Sequence, residues 1–285
     1  MHSLLAPAKI NLTLEVLGEL PGGYHELDTV FASLDLADEL RWREATQTRL
    51  TLSGELRGLP ISSGEDNLVL RALRALESRV GRELPLEIEL IKRIPAGGGL
   101  GGGSVDAAAL LWGANQSHQL GLSPLELQQL GATLGADVAY GVRGGVAGGR
   151  GRGDELEPLP VPRSQTVHLI LPPFACPTGD VYRAWDARPV PQAPGCSARL
   201  VAELQTDTPL ALEHLANDLE SAAWQVQPAL ADISQALRPL GRVLLCGSGS
   251  TLSCWSEAST AEVERRVRAW NCQVVTTHLG GGPRQ

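Results

Sequence analysis

Pro95-Ala96-Gly97-Gly98-Gly99-Leu100-Gly101-Gly102-Gly103-Ser104 holds six glycines in the seven positions from 97 to 103. Leu86, Ile88 and Leu90 alternate ahead of it, and Val105 to Gln116 follow with Ala108, Leu111 and Trp112 on one side of a helix. The stretch therefore reads as strand, glycine loop, helix. Glycine lets a backbone turn tightly and approach a ligand without Cβ clashes, while the following helix offers unpaired N–H groups and a positive dipole end. A phosphate is the natural ligand of such a loop. Gly98 to Gly103 has the glycine spacing of GxxxxGK[ST], but Ser104 stands where that motif requires Lys, so the P-loop fails. Gly97, Gly99 and Gly102 match GxGxxG formally, yet the helix leads straight to another capped helix at Ser123 rather than to a strand ending in an acidic residue.

Toward the N-terminus, Ile10, Leu12, Leu14 and Val16 alternate with Asn11, Thr13 and Glu15 as in a half-buried strand, which ends at the turn Pro21-Gly22-Gly23. Further strands are expected near 27–34, 39–43, 49–53 and 85–91, with a helix carrying Leu68, Val69, Ala72, Leu73 and Leu76 after a cap at Asp66. Ser123-Pro124-Leu125-Glu126 opens another helix, with Ser as cap and Glu at the third position. Gly141 to Gly153 holds seven glycines and is compatible with a flexible segment or a glycine-rich strand pair.

Beyond it a strand is expected at 166–171, helices near 197–205 and 217–238, and strands at 242–246 and 251–255 around Gly247-Ser248-Gly249-Ser250. A helix at 261–270 and a strand at 273–277 complete the order β-α-β-β-α-β of the ferredoxin-like split unit. These readings predict an α+β protein of two lobes: residues 1–160, mixed α/β with the glycine loop, and residues 161–285, ferredoxin-like.

The 285 residues are 43% hydrophobic and 20% charged, which excludes disorder and a disulfide-stapled miniprotein as the main architecture. A net charge of −8 disfavours a nucleic-acid partner. The five cysteines, at 176, 196, 246, 254 and 272, form no CxxC pair and read as buried hydrophobes in a reducing compartment. Met1 to Asn11 has no signal-peptide pattern, and no apolar run reaches the roughly 18 residues that span a bilayer. A cytoplasmic protein without membrane partner is expected.

Lys9 and Asn11 lie on the strand face opposite Ile10 and Leu12. Periodicity alone makes that face solvated. Asp137, in Gly135-Ala136-Asp137-Val138, sits among small residues, either as a carboxylate half-buried beside a cation or as a surface turn or cap. Tyr24-His25 after the Pro-Gly-Gly turn offers a ring to stack on a ligand and an imidazole to bond it, or merely follows a hairpin. Pro177-Thr178-Gly179-Asp180-Val181-Tyr182 is a second turn carrying an aromatic ring.

Three of these stretches, in order, resemble the motifs of the GHMP small-molecule kinase superfamily, which includes galactokinase, homoserine kinase, mevalonate kinase and phosphomevalonate kinase: Pro7-Ala8-Lys9-Ile10-Asn11-Leu12, Pro95 to Ser104, and Cys246-Gly247-Ser248-Gly249-Ser250. Gly23-Tyr24-His25, Glu65-Asp66-Asn67-Leu68 and Leu134-Gly135-Ala136-Asp137-Val138 resemble the marks of a subgroup acting on a cytidyl diphosphate alcohol in isoprenoid-precursor synthesis. The resemblance covers nearly the whole chain. It implies a two-lobed kinase that uses ATP and Mg²⁺, with Lys9 and Asp137 as the catalytic pair and Pro95 to Val105 around the ATP phosphates. It also implies Asn67 near the adenine, Ser104 as a Mg²⁺ ligand, and Asn11 near the phosphorylated end of the acceptor. Tyr24 and Tyr182 enclose the cytosine by the same resemblance, with His25 reading its edge and Thr178, Gly247 and Gly249 also at the acceptor.

Departures are Val105 for a second motif Ser, Ala139 and Tyr140 for a common Pro and Phe, and Tyr182 for a more usual Phe. None removes a catalytic group. The rivals are a homoserine or mevalonate kinase without a cytosine slot, and an inactive nucleotide sensor, against which the retention of Lys9 and Asp137 speaks.

Overall fold

The alternating apolar residues at the N-terminus form β1 (His2–Leu20), which turns at Pro21–Gly23 into β2 (Tyr24–Glu44), its antiparallel partner over nearly the whole length. The chain is a computed structural model that describes residues 1–55, 60–191, 193–206 and 210–280. The two strands expected at 27–34 and 39–43 are one. Residues 35–38 do not interrupt β2, because Ala6 and Pro7 of β1 pair with Asp38 and Ala37 and carry the ladder through.

β3 (Arg49–Gly54) is followed by α1 (Leu68–Val80), β4 (Leu86–Lys92), α2 (Gly102–Ser117), α3 (Pro124–Leu134) and α4 (Ala136–Arg143). The cap of α1 is Asn67 rather than Asp66: Asn67 Oδ1 accepts from the Val69 N–H at 2.9 Å, whereas Asp66 takes the Ser62 hydroxyl. Ser123 and Glu126 form the expected capping box on α3. The glycine-rich stretch after α4 is a strand pair, β5 (Val146–Arg150) and β6 (Glu155–Leu159). β3, β4, β2 and β1 lie in that order, and β5 pairs with the first half of β2. Ala8, Ile10 and Leu12 of β1 pack with Ala107, Ala108, Leu110 and Leu111 of α2 and Val69, Leu73 and Leu76 of α1 in the larger core.

β7 (Thr166–Leu171), α5 (Thr178–Ala187) and α6 (Cys196–Leu204) come next, then β8 (Ala216–Asn217), α7 (Glu220–Val226) and α8 (Ala229–Leu237). The single helix expected at 217–238 is thus a short strand and two helices. Pro228, which has no N–H to continue a helix, separates α7 from α8. β9 (Arg242–Leu245), β10 (Leu252–Trp255), α9 (Thr260–Val267) and β11 (Gln273–His278) finish the chain. The second sheet runs β11-β7-β10-β9, the ferredoxin-like order. Ile170, Val243, Leu245, Leu252 and Cys254 form its core with Leu230 and Ile233 of α8 and Val263 of α9.

Chain and lobe do not divide cleanly at 160. β8 pairs in parallel with Thr13 and Leu14 of β1, and Leu200 and Leu204 of α6 join the first lobe's core. The polar face of β1, expected to be solvated, is covered, at Thr13 and Glu15 by β8 and α6. Lys9, Asn11, Thr13 and Glu15 are all buried, and Glu15 accepts from the Ser197 N–H at 2.8 Å at the start of α6. No helix of the described residues is long and apolar enough to cross a membrane. All five cysteines are free, and burial pushes the Cys246 thiol up to about 12.

Candidate active site

Gly97, Gly99 and Gly101 have φ of 75°, 79° and 69°, the left-handed region that glycine adopts without Cβ strain. Gly101 caps α2 with no side-chain bond, so the first N–H groups of that helix are left for a ligand. The loop from Pro95 to Gly103 and Ser104 line a cleft of ≈ 440 Å³, closed on its other side by Pro60, Ser62 and Asn67. Asn67 uses its amide to cap α1 and to donate to the Ser62 carbonyl at 2.6 Å, which fixes it at the cleft's edge. The side chains of Leu100 and Val105 belong to the core, so these two residues offer a ligand only their backbone.

The third glycine motif is packed directly on this loop. Lys9 N–H donates to the Leu100 carbonyl at 3.0 Å and Thr251 N–H to the Gly98 carbonyl at 3.3 Å. A Cβ on Gly99 collides with the carbonyl of Cys246. Gly99→Ala is therefore expected to cost about 1–3 kcal/mol of stability in thermal melts. It is also expected to raise the KM for ATP by roughly tenfold or more through the misplaced loop.

Sequence reading missed the cluster behind the loop. Lys92 Nζ bonds Asp38 and, at 2.6 Å, Asp106 of α2, all three being almost fully buried. Burial alone pulls the ammonium down, but Asp106 and Asp38 outweigh it and push it up. The Asp106 carboxyl is driven well above the usual range by desolvation, against the pull of Lys92. Asp38 also accepts from the Ile94 N–H at 2.8 Å, so the cluster ties β2, the end of β4 and α2 together under the glycines. A signal existed: Lys92 continues the inward parity of Leu86, Ile88 and Leu90.

On the far side of Gly99 and Ser104 lies a second cavity of ≈ 350 Å³, and both residues line it as well as the first. Lys9 and Asp137 meet there. Asp137 stands in the first turn of α4, with Lys9 Nζ 3.3 Å from its Oδ2. Lys9 also donates to Asn11 Oδ1 at 3.0 Å, and Asn11 in turn to the Thr29 hydroxyl at 2.8 Å. Nζ lies 5.6 Å from the centroid of the Phe31 ring. The ammonium is thus 5% exposed while the carboxylate beside it is 36% exposed, so the cation is fixed and the acid is open to the cavity.

Thr178, Tyr182 and Gly247 also line this cavity, and Thr178 Oγ1 is 2.8 Å from Ser248 Oγ. Gly249 does not line it. Its φ of 89° turns the motif back against Leu245 and Cys176. Asn217, which sequence reading passed over, holds the motif by donating to the carbonyls of Leu245 and Gly247 at 2.9 and 2.7 Å.

His25 stacks on Tyr182 with ring centroids 4.5 Å apart, and Arg152 lies 5.1 Å over the exposed ring of Tyr24. Arg152 was also missed; with Lys9 it supplies the positive charge in the lining of the second cavity. Glu19, His25 and Asp186 place ligand atoms within 4.8 Å of one another, the one such cluster among the described residues able to hold a metal ion, and it is remote from Ser104 in the chain and in the lining of the clefts. Tyr140, which follows Asp137 by three, satisfies its buried hydroxyl on the Gly145 carbonyl at 2.7 Å and on Ser33.

Residues 67–148 match the model of the GHMP kinases N terminal domain. The 4-diphosphocytidyl-2-C-methyl-D-erythritol kinase of Moorella thermoacetica is 42% identical over 275 residues, 94% of each chain. That settles the family. The chain belongs to the 4-diphosphocytidyl-2-C-methyl-D-erythritol kinases. A crystal structure of 4-(cytidine 5'-diphospho)-2C-methyl-D-erythritol kinase superposes with a TM-score of 0.78 at 34% identity, covering 99% of this chain and 100% of that one. A homoserine kinase from Cytophaga hutchinsonii, 22% identical with a TM-score of 0.74 over 99% and 96% of the chains, shares the fold. The protein is a kinase of the GHMP superfamily with its two-lobed α+β fold.

Proposed function

We propose that the protein transfers the γ-phosphoryl group of ATP to the 2-hydroxyl of 4-diphosphocytidyl-2-C-methyl-D-erythritol, an isoprenoid precursor, with Asp137 and Lys9 as the catalytic pair. The observation that carries this reading is the contiguity of the two clefts. The glycine loop lines one, the Lys9–Asp137 pair lines the other, and Gly99 and Ser104 line both. A phosphate held on the N-terminus of α2 is then adjacent to a hydroxyl held against Asp137.

Phosphoryl transfer through a loose transition state asks the protein to position reactants and to neutralise charge. The acceptor oxygen forms its bond to the γ-phosphorus as the bond from that phosphorus to the β-bridging oxygen breaks. The hydroxyl proton passes to Asp137 and ADP leaves with the bond's electron pair. Lys9 steadies the Asp137 carboxylate and the charge on the moving phosphoryl group. Mg²⁺ neutralises ATP phosphate charge when bound, and the Ser104 hydroxyl at the junction of the clefts is a hard oxygen donor suited to hold it alongside water. Arg152 faces the acceptor's diphosphate, and Tyr182, Tyr24 and His25 the cytosine.

A coupled assay of ADP release tests the reading. The cytidyl diphosphate acceptor is expected to exceed mevalonate and homoserine in kcat/KM by roughly 10⁴-fold, since a site built for polar groups rejects analogues that lack them. Comparable turnover of either smaller alcohol would overturn it.

A further inference from the structure

Asp186 and His25 line neither cleft, yet Asp186 bonds His25, whose ring lies on the cavity-lining Tyr182. Asp186 follows Tyr182 by four residues on α5, so the two side chains share a face of that helix. That face grips His25 twice. The Tyr182 ring stacks on the imidazole at 4.5 Å between centroids, and Asp186 Oδ1 lies 2.7 Å from Nε2. The His25 side chain is 10% exposed, although it sits in a turn-proximal position at the start of β2. Among the described residues Nδ1 has no hydrogen-bond partner.

A carboxylate can only accept, so a ring nitrogen bonded to it carries the proton. In the neutral imidazole the other nitrogen is then a bare acceptor. Asp186 commits the proton to Nε2, which leaves Nδ1 with its lone pair. An acceptor at this place suits the exocyclic amino group of cytosine, a donor, and opposes the carbonyl oxygen that uracil carries at the same position. Stacking on an aromatic ring is indifferent to that exchange, since every base has a π-face. The choice between the two pyrimidines therefore falls to the tautomer.

We propose that Asp186 is a positioning residue for acceptor specificity: by fixing the Nε2–H tautomer of His25 it makes the site select a cytidyl over a uridyl diphosphate. The proposal rests on the reading of His25 as the group that meets the base's edge, and it adds the residue that decides what His25 can accept. Glu19 is the other carboxylate near the ring, within 4.8 Å, but it makes no hydrogen bond to His25.

The test compares kcat/KM for the cytidyl and uridyl diphosphate acceptors in the full-length enzyme and four variants. Asp186→Asn presents both a donor and an acceptor to Nε2 and so releases the tautomer. Its cytidyl preference is expected to fall by roughly 10- to 100-fold, the worth of one mismatched buried hydrogen bond. The loss should appear in the acceptor's KM, with kcat and the KM for ATP nearly unchanged. Asp186→Glu is expected to restore most of the preference, and Glu19→Gln to leave it intact. Long-range ¹H–¹⁵N spectra, with the His25 signal assigned by its loss in His25→Ala, read the tautomer without any turnover: Nε2–H in the parent, a mixture in Asp186→Asn. If His25→Ala lowers the preference but Asp186→Asn does not, the role of Asp186 is refuted while that of His25 stands. If His25→Ala itself leaves the preference unchanged, the reading of His25 fails and this proposal with it. An Nδ1–H tautomer in the parent enzyme also overturns it.

Discussion

Asp137→Asn is expected to lower kcat by about 10²- to 10⁴-fold, the usual worth of a positioned base, with the KM for ATP nearly unchanged. The separation of the two effects follows from the geometry. Asp137 lines the second cavity and is absent from the lining of the glycine-loop cleft. Asn preserves the shape of the side chain and its place in the first turn of α4, where 36% exposure leaves little packing to lose. Thermal melting should therefore shift by no more than a surface substitution does, about 0.5 kcal/mol. Steady-state turnover at saturating ATP is the measurement. Near-parent kcat would remove Asp137 from the chemistry and leave the carboxylate as a helix-terminal group.

Lys9→Met is expected to cost roughly 10²-fold or more in kcat, because the lost charge acts where negative charge gathers in the transition state. Met fills nearly the same volume, and Lys9 is packed closely: a Cβ on Gly101 would approach its Cγ to 2.7 Å. Removing a buried ammonium also relieves its desolvation, which offsets the lost bonds to Asn11 and Asp137. Stability should scarcely change. Equal losses of stability and activity would mark Lys9 as structural. Because the two charges are 3.3 Å apart and act on one event, the double variant with Asp137→Asn is expected to be far less impaired than the product of the two single losses. A multiplicative loss would mean that the two residues act independently.

The glycine loop was legible because its chemistry is written in consecutive residues. Strand, six glycines and helix need no distant partner to be recognised, and the left-handed φ of Gly97, Gly99 and Gly101 is one that the absence of a Cβ permits. The ferredoxin-like order of the last strands was likewise readable from alternation and spacing. What periodicity misjudged was the polar face of β1. Thr13 and Glu15 are buried under α6 and β8, and Lys9 is buried against the glycine loop, Asp137 and Gly247, and nothing local announces that cover. The break at 217–238 was visible in Pro228, but the strand before it was not, since two residues pair with β1 only when the lobes meet.

The acceptor end divides in the same way. Tyr24, His25 and Tyr182 stand out in a chain with only eleven aromatics, yet sequence could not say that His25 would stack on Tyr182. Arg152 and Asp186 carried no local mark, because each acquires its meaning from a neighbour more than a hundred residues away in the chain. Short-range pattern in the sequence was enough for most of the elements and for the glycine loop, whereas Lys9 and Asp137 were singled out only by the resemblance of their motifs to a known family. That these two meet at 3.3 Å, that Gly99 and Ser104 line both clefts, and that Lys92 bonds two buried aspartates was settled by the tertiary structure alone. Distance and burial depend on contacts between segments far apart in the chain, and no local periodicity encodes them.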